Sequence, residues 1–192
     1  AVWALGDTGQ NSVYANADTG VQWNHPALQP HYRGWNGASA DHNYNWWDAI
    51  HADIDGNGNP CGFNLSTPCD DQGHGTHTMG TLVGAGGIGV APGAKWIAVR
   101  IFDSNGFAYT SWIHAGVQWI LAPGGDPGRA PDVLNNSWSS NDGYAVDFQP
   151  DVRLLNAAGI DTYFSNGNAG PDPETVGSPA SLPESFGVGA VD

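Results

Sequence analysis

The sequence is short of positive charge. Lys95 is its only lysine, and with four arginines it faces nineteen acidic residues, for a formal net charge of −14 over 192 residues. Such a surface repels phosphate backbones, so nucleic acid is excluded as an expected partner. The acidity suits salty or acidic surroundings, cation binding, or solubility alone. No apolar run reaches the length of a membrane span, so no membrane partner is expected either. A basic, apolar leader with a small-residue cleavage site is also missing, and any signal or pro-segment is expected to lie outside these residues. Cysteine is scarce. Cys61 and Cys69 stand in "NPCGFNLSTPCDD", flanked by prolines and far from a C-x-x-C spacing. They read as a disulfide clipping a loop, with two free buried thiols as the alternative. A bridge that short stabilises by about 2–3 kcal/mol on the chain-entropy model. It implies an oxidising compartment, hence a secreted, extracellular protein.

What is present suffices for one folded domain over residues 1–192. Short apolar runs predict buried strands at 12–17, 94–101, 132–137, 160–165 and 186–191. Between them lie helical spacings. The 74–85 segment puts Met79, Leu82 and Val83 on one side. The 110–121 segment opens on a hydroxyl cap and stops before Pro123. The 144–159 segment ends in glycine, with Pro150 marking the start of its main helix. Alternation of strand and helix predicts an α/β fold, a mainly parallel central sheet with helices on both faces. Ligands of such sheets bind beyond the carboxyl ends of the strands. Residues 36–73, rich in Asn, Asp, Gly, Trp and Pro, read as a loop-rich insertion.

Asp-Thr-Gly occurs twice, at Asp7 and Asp18. Two such tripeptides would suit an aspartic protease, but the segment between them is too short to form two lobes. Asp7 reads as a turn residue, whereas Asp18 ends a run in which Val13, Ala15 and Ala17 alternate, at a strand's carboxyl end. His74 opens the small-residue helix "GHGTHTMGTLVG", where Gly75, Thr76, Gly80 and Thr81 allow tight packing on a sheet. A zinc pair of His74 and His77 is the competing reading. The usual helical pair is spaced i, i+4 with a glutamate beside the first histidine, and that glutamate is absent.

The segments "ADTGVQWNHPAL", "GHGTHTMGTLVG", "GVAPGAKWIAVRIFDSNG", "VLNNSWSS", "FSNGNAGP" and "GSPASLPESFGVGAVD" together resemble, in order, the subtilisin-like serine proteases. The resemblance covers nearly the whole chain outside 36–73. It implies a three-layer α/β sandwich and a secreted endopeptidase acting on polypeptide substrates. It gives Asp18 the role of triad carboxylate, His74 that of general base and then acid, and leaves His77 as a packing histidine. Asn168 matches the oxyanion-hole asparagine. Ser137, Trp138 and Ser139 match the stretch that lines the specificity pocket, with Gly167 on the opposite wall.

The resemblance also exposes a gap. No "GTSMA"-type nucleophile segment occurs, and no G-x-S-x-G. Ser165, Ser178 and Ser181 fall at positions with other roles. The expectation is a chain incomplete at its C-terminal side, inactive alone, whose serine comes from a missing segment or a nicked partner fragment. A catalytically dead module that binds peptides or calcium is the alternative. Calcium is a further expectation. Asp53, Asp55, Asn57 and Asn59 alternate in "DIDGNGNPC" as the oxygen ligands of a calcium loop do, although Asn64 stands where a bidentate glutamate belongs. A plain acidic turn held by side-chain to backbone hydrogen bonds reads equally well.

Overall fold

The computed structural model describes residues 2–54, 56 and 58–191. Six strands, β1 (Val13–Asp18), β2 (Trp46–Asp48), β3 (Lys95–Arg100), β4 (Val133–Asn136), β5 (Asp161–Ser165) and β6 (Phe186–Val188), form one sheet in the order β2-β3-β1-β4-β5-β6. Every pairing between them is parallel. Three helices, α1 (His74–Val83), α2 (Thr110–Leu121) and α3 (Gln149–Ala157), complete the sandwich.

Side-chain alternation divides the core between two faces. Along β3, Trp96 and Ala98 join a cluster with Met79 and Val83 of α1, Tyr32 and Leu28. Ile97 and Val99 point the other way, into a cluster with Trp112, Ile113, Val117 and Ile120 of α2 and Leu155 of α3. A strand buried on both faces needs such an unbroken apolar run, and "WIAV" supplies it. On β1 the same alternation gives Ala15 and Ala17 to the α2 face, and so turns Asn16 and Asp18 towards α1.

The chain runs from β1 towards β3 on one side and returns to β4 on the other, so β1 sits where the order reverses. Crevices at such a point open beyond the strand ends. That crevice is where Asp18 lies.

The expected strands and helices are all present, most of them trimmed by a residue or more at their ends. Pro150 does fall in the first turn of α3. Two details differ. Thr110 is the first helical residue of α2 and caps nothing; Tyr109, held edge-on against Phe107 and Trp112, occupies the cap position. The 36–73 stretch also contributes a strand. β2 is too short to show a period, and it is held as the edge by its pairing with β3.

The 36–73 stretch is anchored on a buried cation. Arg100, fully buried at the end of β3, lies 3.4 Å from Asp48 and 3.3 Å from Asp71, and donates to the Gly62 carbonyl at 3.0 Å. Burial raises the pKa of the Asp48 carboxyl, while hydrogen bonds from the Leu65 and Ile50 amides and the Arg100 charge pull it back. Cys61 and Cys69 are bonded to each other, with Cα atoms 6.2 Å apart.

Candidate active site

Three features fix the orientation of Asp18 and His74. The first is the end of β1. After Asp18 the chain passes through Gly20, whose φ of +111° and missing Cβ let it lie against the Cys69 carbonyl; a Cβ there would sit 1.9 Å from that oxygen. The third residue of Asp-Thr-Gly is thus set by backbone contact with the disulfide loop.

The second is the start of α1. Its cap residue, Gly73, has no side chain to offer, and the first helical amides are satisfied from outside. Gln72 Oε1 accepts from His74 N at 2.8 Å, Thr19 Oγ1 from Gly75 N at 2.9 Å, and Asp70 Oδ2 from Thr76 N at 2.9 Å. Thr19 in turn donates to Asp70 Oδ1 at 2.9 Å. These bonds stand in for an N-cap and tie the helix start to the residue after Asp18.

The third is close packing. A Cβ on Gly75 would lie 2.1 Å from the Gly20 carbonyl oxygen and 3.1 Å from Asp18 Cβ, so only glycine lets α1 approach this near.

The result is a short pairing. His74 Nδ1 lies 2.7 Å from Asp18 Oδ1, with the Asp18 side chain 3% exposed and that of His74 45% exposed. Asp18 Oδ1 also accepts from Thr19 N at 2.7 Å, and Oδ2 from Thr78 Oγ1 at 3.1 Å. Since an ionised carboxylate only accepts, Nδ1 carries the proton and Nε2 is left as the basic nitrogen. The hydrogen bond to Asp18 raises the His74 pKa above its ordinary 6.5, against the opposing effect of burial; the charges of Asp18 and Asp70 add to the rise.

The other expected residues gather around this pair. A cleft of about 410 Å³ is lined by His74, Ser137, Ser165, Gly167 and Asn168 together. A neighbouring one of about 390 Å³ is lined by Ser137, Trp138, Ser139, Gly167 and Asn168. Ser137 and Ser139 follow β4, and Gly167 and Asn168 follow β5, so all stand beyond carboxyl ends of strands. Gly167 (φ +91°) abuts Ser139: a Cβ would sit 2.8 Å from its hydroxyl. Trp138 serves the core as much as the cleft, packing edge-on against Phe102, Phe148 and Phe164.

Several readings are settled by position. Asp7 is a turn residue, accepting from Gly9 N at 3.1 Å. His77 is not a packing histidine; it points outward and is exposed, because its place on α1 is off the stripe of Gly75, Met79 and Val83. Ser178 and Ser181 donate to the carbonyls of Ala145 and Gly143, each at 2.6 Å, and Ser165 Oγ accepts from Gly167 N at 3.1 Å. Among the described residues, none of these hydroxyls is hydrogen-bonded to His74.

For the acidic loop, Asp55 and Asn57 lie outside the described residues. Asp53 Oδ1 accepts from Gly56 N and Asn59 Oδ1 from Ser104 N, both at 2.8 Å. Among the described residues, no three His, Cys, Asp or Glu side chains group closely enough to hold a metal ion.

Sequence reasoning missed Asp70, Thr19 and Gln72 as the supports of α1, and missed Asn16, Thr78 and Asn135 altogether. Asn16 did leave a signal. It is a lone amide in the middle of an otherwise apolar strand, and a buried polar group there needs partners.

Similarity to known proteins agrees with this geometry. The chain is 41% identical to Bacillopeptidase F of Bacillus subtilis (strain 168) over 207 residues, covering 99% of this chain and 14% of that protein. It is 34% identical to the minor extracellular protease Vpr of the same organism over 98% of this chain and 21% of the relative. With subtilisin E, also from that organism, identity is 31% over 100% of this chain and 44% of the relative. The chain therefore spans less than half the length of each of these three. The model of the subtilase family matches residues 9–192, and on that match, with Asp18 and His74 joined at the sheet's carboxyl edge, the chain belongs to the subtilase family.

Proposed function

We propose that this chain forms the acid-base half of a secreted serine endopeptidase. The single observation that carries the reading is the 2.7 Å contact between Asp18 Oδ1 and His74 Nδ1 beside a cleft shared with Asn168. The nucleophilic hydroxyl comes from residues outside these 192. His74 Nε2 takes its proton as it attacks the scissile carbonyl, and Asp18 holds the ring and stabilises the imidazolium. The Asn168 amide donates to the charge that develops on the carbonyl oxygen. His74 then returns the proton to the leaving amine, and a water repeats the sequence to release the acyl group. Ser137, Ser139 and Gly167 flank an extended polypeptide in the cleft.

Secretion is supported by the disulfide and by the word "extracellular" in the name of one relative. Calcium in the 53–59 loop is retained as a proposal; it would be a structural ion with no part in the chemistry.

The test uses a serine-directed fluorophosphonate and a generic peptide substrate. Residues 1–192 alone keep their mass and cleave nothing, whereas the intact protein gains the adduct and loses cleavage with it. An adduct on residues 1–192 would overturn the assignment of the nucleophile. An intact protein that neither reacts nor cleaves would favour a peptide-binding module without catalysis.

A further inference from the structure

Behind Asp18 lies a buried polar chain that the triad roles do not use. Asn16, two residues earlier on β1 and fully buried, donates from Nδ2 to the Gly75 carbonyl at 3.2 Å and to Thr78 Oγ1 at 2.9 Å. Its Oδ1 accepts from Asn135 Nδ2 at 2.8 Å, and Asn135 Nδ2 also donates to Ser137 Oγ at 2.9 Å. Thr78 Oγ1 reaches both Asp18 Oδ2 and the Gly75 carbonyl, each at 3.1 Å.

Donor and acceptor rules fix the direction of every link. The Gly75 carbonyl can only accept, so Asn16 must present its NH₂ group to it and its oxygen to Asn135. Thr78 Oγ1 then accepts from Asn16 and has a single proton left to give. Two acceptors compete for that proton, the Gly75 carbonyl and the Asp18 carboxylate. Asn16 already supplies the carbonyl, and the carboxylate is charged and the stronger acceptor. At the far end, Ser137 Oγ accepts from Asn135, which leaves its own proton for the cleft.

We infer that Asn16 and Thr78 are positioning residues for the acid-base pair: Asn16 aims the Thr78 hydroxyl at Asp18 Oδ2, which holds the carboxylate in the plane that presents Oδ1 to His74. The inference rests on the proposed role of Asp18 and His74. A hydroxyl donated to a carboxylate spreads its charge and weakens its pull on the imidazole proton. The other charge facing His74 is Asp70, in the turn ahead of α1, and it is engaged by Thr19 and Thr76.

The test is a titration of His74 by nuclear magnetic resonance in the intact protein with ¹⁵N-labelled histidine. Thr78→Val keeps the side chain's shape and removes the donor; the His74 midpoint is expected to rise by about 0.5–1 pH unit. Thr78→Ser restores the hydroxyl and the original midpoint, which a merely structural role for the side chain's bulk would not do. Asn16→Leu frees the Thr78 proton for the Gly75 carbonyl and shifts the midpoint the same way. The double variant shifts it no further than Thr78→Val alone. If Asn16→Leu does not fold, the Val and Ser variants of Thr78 decide. A midpoint unchanged or lowered in Thr78→Val, with the Asp18-bound Nδ1–H resonance still present, overturns the inference. Absence of that resonance from the unmodified protein would instead overturn the pairing of Asp18 with His74.

Discussion

Two histidine–aspartate pairs occur among the described residues, and by distance they are nearly alike. His74 Nδ1 lies 2.7 Å from Asp18 Oδ1, and His114 Nδ1 lies 2.8 Å from Asp151 Oδ2. The two histidine side chains are also similarly exposed, at 45% and 37%. Their surroundings differ. Asp18 ends a central strand and accepts two further hydrogen bonds, and its partner His74 lines a cleft with the Asn168 amide and the hydroxyls of Ser137 and Ser165. Asp151 lies in the first turn of α3 and reaches across to α2, where His114 rests against Phe148. One pair is held by a network and opens on a crevice; the other ties two helices together. A short contact therefore does not mark a site. Its support and its outlook do.

That contrast can be broken by mutation. In the intact protein, His74→Ala is expected to lower kcat by a factor on the order of 10⁴–10⁶, the range that loss of a triad histidine or serine produces in serine proteases. Asp18→Asn should cost about 10⁴, because the amide offers the imidazole a donor and selects the wrong tautomer. It also removes the main cause of the raised His74 pKa. In the unmodified protein kcat/KM should rise with pH through a midpoint above the ordinary histidine value of 6.5, as protonated His74 gives up its proton. The sign of the stability effect is the reverse. A raised histidine pKa contributes stability that is complete below the unfolded value and lost as pH rises through the folded one. With the ring nearly half exposed, that contribution is small.

On the oxyanion role proposed for its amide, Asn168→Ala should lower kcat by about 10²–10³ with little change in KM. Smaller still, His114→Ala should leave kcat/KM within about twofold and lower stability by about 0.5–1.5 kcal/mol, the value of a part-exposed hydrogen bond. If His114→Ala and His74→Ala proved equally damaging to activity in a protein that still folds, the distinction drawn between the pairs would be lost. The smallest effect concerns the acidic loop. A melt with and without chelator should separate the midpoints if the loop binds calcium only when folded; coincident curves would leave the turn held by its own hydrogen bonds.

Much of this was legible in the sequence, for reasons that can be named. β3 reads as a continuous apolar run because it is covered on both faces, and Asp18 and His74 stand in segments rich in small residues that close packing requires. Gly20 and Gly75 are the plainest cases, since a Cβ on either would lie 1.9 or 2.1 Å from a backbone oxygen, far inside van der Waals contact. β2 was not legible, because three residues carry no period and its place depends on β3. Nor were the supports of α1: Thr19, Asp70 and Gln72 are brought together only by the fold. His77 was misjudged although the spacing places it. Met79, Leu82 and Val83 already mark the inward stripe of α1, and His77, two positions before Met79, falls on the opposite side of the helix.

The burial of Arg100 leaves the loop around the disulfide dependent on two carboxyls. The guanidinium at the end of β3 cannot lose its charge, and Asp48 and Asp71 are the acidic side chains that face it. A variant that removed either one would strand a cation inside, directly beneath the loop whose Cys69 carbonyl lies against Gly20. Damage done there, far along the chain from Asp18, would reach the turn that follows β1.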